Sequence, residues 1–111
     1  MKTTWNIGLN NNPKSVEKII DTFKINFFND LVIYREEICE WNGQPEPTLI
    51  VEVLTDGVFF EEAVIDLTEE MCLAYTQECI AVRIDGEGHL VYNPKHEGEQ
   101  YTFDPQYFHE I

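Results

Sequence analysis

Five apolar residues in the first third of the chain, Val16, Ile19, Ile20, Phe23 and Phe27, recur at offsets of 0, 3, 4, 7 and 11. That spacing lines them along one face of an α-helix, with mostly polar residues between them. A helix with a single apolar face has to bury it, and the flanking segments supply strands for it to cover. Residues 3–9 place Trp5, Ile7 and Leu9 on one side of a strand. The link is Asn10-Asn11-Asn12-Pro13, and it predicts a helix start with Asn12 as N-cap and Pro13 at the first helical position. Asn29-Asp30 closes the helix.

Residues 31–41 are β-branched at the start and aromatic at the end. Alternation falters across Arg35-Glu36-Glu37, where a bulge is expected. Asn42-Gly43 is a turn signal, and Gln44-Pro45-Glu46-Pro47 reads as a loop between strands. Residues 48–54 are apolar on both sides, Leu49, Val51 and Val53 against Ile50 and Leu54, which marks a central strand. Thr55-Asp56-Gly57 turns the chain.

Residues 58–66 fit two patterns. As a strand they pair back on the preceding one; as a helix they align Phe60, Ala63, Val64, Leu67 and Met71. Asp66 and Glu69 fit a capping box, so the second helix is expected from about Leu67 to Gln77. Residues 79–85 alternate as a strand, and Gly86-Glu87-Gly88 turns it into another over residues 89–92. Asp104-Pro105 can cap a short helical turn in the tail.

The predicted order is β-α-β-β-(β)-α-β-β. With two helices on one face of an antiparallel sheet, this is an α+β, ferredoxin-like split βαβ sandwich, expected to be one domain over residues 1–111.

Charge is distributed unevenly. Residues 1–35 hold five Lys/Arg and three acids, whereas residues 36–111 hold two and 18. The formal net charge of −14 disfavours nucleic acid and anionic membrane as direct partners, because phosphate contacts need Lys and Arg. A basic protein surface is the natural complement. With 43% apolar residues the chain is not a disordered polyanion. Met1 leads into a polar start and no run is long and apolar enough for a membrane span, so a cytoplasmic protein with reduced thiols is expected, in a host cytoplasm if phage-encoded.

Gln77-Glu78-Cys79-Ile80-Ala81-Val82, Gly88-His89-Leu90-Val91, Asn93-Pro94 and Phe103-Asp104-Pro105-Gln106-Tyr107-Phe108 form an ordered set. Together they resemble a loose group of small phage and prophage proteins of unknown function. In that group a helix ends in Gln-Asp/Glu, runs into an Ile-Ala-Val strand, and is followed by Gly-x-Leu and a closing Phe-x-Pro-x-x-Phe. The resemblance implies a phage or mobile-element origin and a ferredoxin-like fold. It carries over no catalytic residues. Where the group often has Gly-Pro after the leucine strand, this chain has Tyr92-Asn93-Pro94.

Two sets of residues stand out as candidate sites. Asn10, Asn11 and Asn12, with Lys14 and Lys18, place polar groups and positive charge at a helix N-terminus, which suits a phosphate-like anion; an ordinary capped turn has the same sequence. Tyr92, Asn93, Lys95 and His96 form a polar-aromatic loop fit for a ligand or partner. An acidic surface is expected from Glu36, Glu37 and Glu40 together with Glu61, Glu62, Glu69 and Glu70. No two of the three histidines and three cysteines have zinc-site spacing, and no Ser/His/Asp or Cys/His set stands out. No metal, cofactor or catalytic residue is therefore expected.

These readings predict a non-enzymatic, phage-type accessory or counter-defence protein that binds a host protein through its acidic face. The alternative is an oligomer that binds or sequesters a small nucleotide-like signal.

Overall fold

The structure, a computed structural model, describes residues 1–41, 43–56 and 61–98. The elements are β1 (Lys2–Gly8), α1 (Val16–Asn26), β2 (Leu31–Trp41), β3 (Gln44–Leu54), α2 (Glu61–Ala74), β4 (Cys79–Ile84) and β5 (Glu87–Tyr92). The five strands form one sheet in the order β2-β3-β1-β4-β5, and every neighbouring pair is antiparallel. The α+β class is as expected, and so is the central place of β3.

Register determines which side chains share a face, because directly opposed residues point the same way. Trp5 faces Val51 on one side and Val82 on the other, and Ile7 faces Leu49. These residues form a single buried cluster with Ile19, Ile20, Phe23 and Phe27 of α1 and its end, and with Val64, Met71 and Cys72 of α2. Both helices therefore cover the same face of the sheet.

Trp5 is at the centre, fully buried. Phe23 meets its ring edge-on at a centroid distance of 5.0 Å, and Phe27 lies 5.7 Å away. Its indole N–H donates to Thr68 Oγ1 at 2.9 Å, and that hydroxyl donates in turn to the Val64 carbonyl. A buried threonine thus satisfies the one polar atom of the largest core side chain.

Several local expectations are corrected. Helix α1 begins at Val16, and its N-cap is Ser15, whose hydroxyl accepts from the Lys18 N–H. Asn12 is not the cap: its carbonyl oxygen accepts from the Lys14 N–H and its amide donates to the Gly8 carbonyl, making a turn ahead of the helix. The bulge at Arg35–Glu37 is absent, since β2 and β3 pair one-to-one from Leu31↔Leu54 to Trp41↔Gln44.

Gln44-Pro45-Glu46-Pro47 is strand, not loop. A residue's N and C=O point to the same side of an antiparallel strand. Pro47 O accepts from the Leu9 N–H, so the proline nitrogen faces away from β2 and no β2–β3 hydrogen bond is lost. Asn42 lies outside the described residues, but Gly43 has the positive φ, 74°, that a tight hairpin turn requires.

Helix α2 begins at Glu61, so residues 61–66 are helical and Asp66 is inside the helix rather than its cap. Residues 57–60, with Phe60, lie outside the described residues. So do residues 99–111, which include the closing pattern from Phe103 to Phe108. Asp85 and Gly86 both have positive φ, 51° and 89°, and form the two-residue turn between β4 and β5. Among the described residues no helix is long and apolar enough to cross a membrane.

Candidate functional site

The face of the sheet away from the helices carries Asn6, Gly8, Thr48, Cys39, Glu46, Cys79 and Ala81, as the cross-strand pairs require. At the Gly8 end, three segments rise around this floor. They are the loop after β1 with Asn10 and Asn11, the β2–β3 hairpin arm with Glu40, Trp41 and Glu46, and the α2–β4 connection with Thr76, Gln77 and Glu78. Together they enclose a cavity of about 360 Å³, within the size range of small-molecule sites.

The cavity is lined by three carboxylates, Glu40, Glu46 and Glu78, and by no Lys or Arg among the described residues. Burial pushes the Glu46 carboxyl up from its ordinary value. Burial also raises the Cys39 thiol, and it drives Cys79 and nearby Cys72 up to about 12. These thiols stay protonated at neutral pH, so the cavity offers no thiolate nucleophile.

The backbone here is unusual. Gln77 N–H bonds the Cys72 carbonyl and Tyr75 N–H bonds the Met71 carbonyl, closing the C-terminus of α2 around Thr76. Thr76 has φ 53° and Asn11 has φ 58°. Glycine is the usual occupant of such a helix-ending position, and a β-branched residue there is strained. Two of the three non-glycine residues with positive φ among those described thus line this one cavity.

The residues singled out from the sequence do not come together. Asn10 and Asn11 line the acidic cavity, which has the wrong charge for the anion they were expected to hold. Lys14 and Lys18 lie in a separate groove of about 320 Å³ beside Asp21, Thr22 and Tyr75. Tyr92, Asn93 and His96 line a third hollow with Glu69 and His89, while Lys95 is exposed and Asn12 serves the turn.

Asn93 is occupied structurally. Its amide donates to the carbonyls of Cys72 and Gln77, and its oxygen accepts from the Lys95 N–H. His96 lies against the Tyr92 ring and 3.3 Å from Glu78 Oε1.

The acidic set does not make one surface either. Glu36, Glu37 and Glu40 belong to β2, an edge of the sheet, and alternation turns Glu37 to the opposite side from the other two. Glu61, Glu62, Glu69 and Glu70 lie on α2, which packs over β4 and β5 toward the other edge.

One grouping was not foreseen. Glu61, Glu87 and His89 bring donor atoms within 4.8 Å of one another, with His89 Nε2 2.8 Å from Glu61 Oε1. Both carboxylates are exposed. The only local signal is that Glu87 and His89 are two apart on a strand and so share a face.

No family model matches the chain, and no curated protein does. A solved structure does. It is a phage SAM lyase in complex with S-methyl-5'-thioadenosine, similar with a TM-score of 0.59 at 14% identity over 86% of this chain and 92% of that one. At that identity the likeness is one of fold.

It still corrects the functional expectation. The non-enzymatic reading rested on the absence of a recognisable nucleophile, base or metal set in a small acidic α+β chain. A lyase of nearly the same extent is built on this fold, so that absence carries no weight. The reading of a protein that acts only by docking its acidic face on a host protein is withdrawn with it.

Proposed function

We propose that this chain is an enzyme of the S-adenosylmethionine lyase type, which binds that sulfonium nucleoside in the acidic cavity and releases methylthioadenosine. The supporting observation is the fold shared along nearly the whole of both chains with a SAM lyase holding methylthioadenosine. We also read the order β2-β3-β1-β4 as the ferredoxin-like plan, with β5 added at the edge, in a single domain of phage origin.

Charge favours this reading. S-adenosylmethionine carries a positive sulfonium and a positive ammonium against one carboxylate, so it is a net cation. A chain of formal charge −14 with three carboxylates around its cavity attracts such a ligand. The small-ligand alternative from the sequence thus stands in altered form, with a cationic nucleoside in place of a phosphate. Methylthioadenosine is neutral, and the same field holds it less tightly.

The chemistry also suits a site without a nucleophile. Formation of methylthioadenosine breaks the bond between sulfur and the γ-carbon of the amino-acid chain, and the bonding pair returns to sulfur. A lyase uses no water, and the step that needs neither water nor a base is attack of the substrate's own carboxylate on the γ-carbon, forming a C–O bond and closing a lactone. No proton is gained or lost. The protein's contribution is to hold the ligand folded so that the carboxylate meets the carbon, and orientation alone supplies large rate effects.

Calorimetry with two uncleaved analogues tests the charge argument. Sinefungin, which has a protonated amine in place of the sulfonium, is expected to bind at least about tenfold more tightly than neutral-sulfur S-adenosylhomocysteine, a gap of about 1.4 kcal/mol. The difference should shrink as salt rises. Equal affinities, or no binding of either, would contradict the reading.

A further inference from the structure

Resting on the reading of the acidic cavity as the ligand site, we infer that Glu46 and Gln77 form a receptor over Gly8 for the ammonium group of the ligand's amino-acid end. Three observations lead there. First, Gly8 sits in β1 on the cavity floor, and a Cβ added to it would lie 2.6 Å from Gln77 Oε1 and closer still to Glu46 Oε1. Two acceptor oxygens from distant parts of the chain therefore converge above one bare Cα. Second, Gln77 is buried, and its amide nitrogen donates to the Tyr75 carbonyl at 2.8 Å. That bond fixes the amide and leaves its oxygen as the atom turned toward Gly8. Third, no Lys or Arg lines the cavity among the described residues to neutralise the Glu46 carboxylate.

A carboxylate and an amide oxygen side by side form an acceptor-only pair, and an ammonium carries three donors and no acceptor. Hydroxyl or adenine groups, which both donate and accept, match such a pair less well. A sulfonium has no N–H or O–H to donate at all. The pair therefore selects the amino-acid end of the ligand. The ammonium keeps its charge throughout the reaction, so this contact is equally strong in ground and transition states and acts on binding rather than on the chemical step. Glu46 and Gln77 are thus specificity residues, and the folding of the amino-acid chain onto the γ-carbon is left to other contacts.

Two variants test this. Glu46→Gln keeps the shape and removes the charge. Gly8→Ala places a methyl where the two oxygens converge, so the Glu46 carboxyl must swing aside and the Gln77 amide must shift against its bond to Tyr75, and a cooperative unfolding transition checks that the variant still folds. Steady-state turnover of S-adenosylmethionine is measured for each, together with inhibition by methylthioadenosine, which has no ammonium.

Each variant is expected to raise KM about ten- to a hundredfold, the weight of a charge-assisted hydrogen bond, with kcat within about twofold. The inhibition constant for methylthioadenosine should stay where it is. An unchanged KM, or a parallel loss of methylthioadenosine affinity, would overturn the assignment while leaving the site reading in place. A parent protein that neither binds nor cleaves S-adenosylmethionine would remove the site reading and this inference with it.

Discussion

Phe23→Ala is expected to lower unfolding stability by about 3–5 kcal/mol, the usual cost of emptying a phenylalanine site in a close-packed core. Phe23 is fully buried and meets Trp5 edge-on, while Phe27 stacks nearby at 6.2 Å. Trp5 cannot move to fill the hole, because its indole is tied to Thr68 and its strand is paired on both sides. Small domains are stable by only about 5–15 kcal/mol, so the variant should be far less stable and at the low end partly unfolded. A denaturant midpoint close to that of the parent would show that α1 does not seal the core as described.

Asn93→Ala is expected to cost about 1–3 kcal/mol, because the Gln77 carbonyl loses its side-chain donor, the Cys72 carbonyl is left with the Gln77 N–H alone, and the turn bond from the Lys95 N–H goes too. The loss should appear in chemical denaturation of the protein alone. Had Asn93 served chiefly to touch a ligand, as its place in a polar-aromatic loop suggested, stability would stay level and only binding would fall. Measuring both separates the two roles.

These residues also show what could be read in advance and what could not. The buried face of α1 is written in its spacing, and Ile19, Ile20, Phe23 and Phe27 are all buried. Its start is less legible, since Asn12-Pro13 and Ser15 both carry capping chemistry three residues apart, and only the hydrogen bond to Lys18 decides for Ser15. Helix α2 was placed too late because its first residues, Glu61, Glu62 and Ala63, are exposed and its buried stripe contains Thr68. A threonine in that stripe weakens the apolar pattern, and its partner, Trp5, is on another element.

The proline-bearing arm looked like a loop because proline removes ladder donors. Nothing local reveals that Pro47 turns its nitrogen away from β2. The cavity was the least legible of all. Gly8, Glu46 and Gln77 come from β1, β3 and the segment after α2, and only the antiparallel register and the end of α2 bring them together. Asn10 and Asn11 were the part of it that sequence reached, and they looked fit for an anion because Lys14 and Lys18, which follow them closely in the chain, line a different groove in the fold.

Cleavage of a sulfonium nucleoside by this chain is measured by incubating the folded protein with S-adenosylmethionine and following methylthioadenosine by chromatography. The expected result is methylthioadenosine accumulating in proportion to protein and well above the spontaneous rate, with no added metal or cofactor. S-adenosylmethionine persisting at its spontaneous rate of decay, in the presence of a protein that gives a cooperative unfolding transition, would contradict the account.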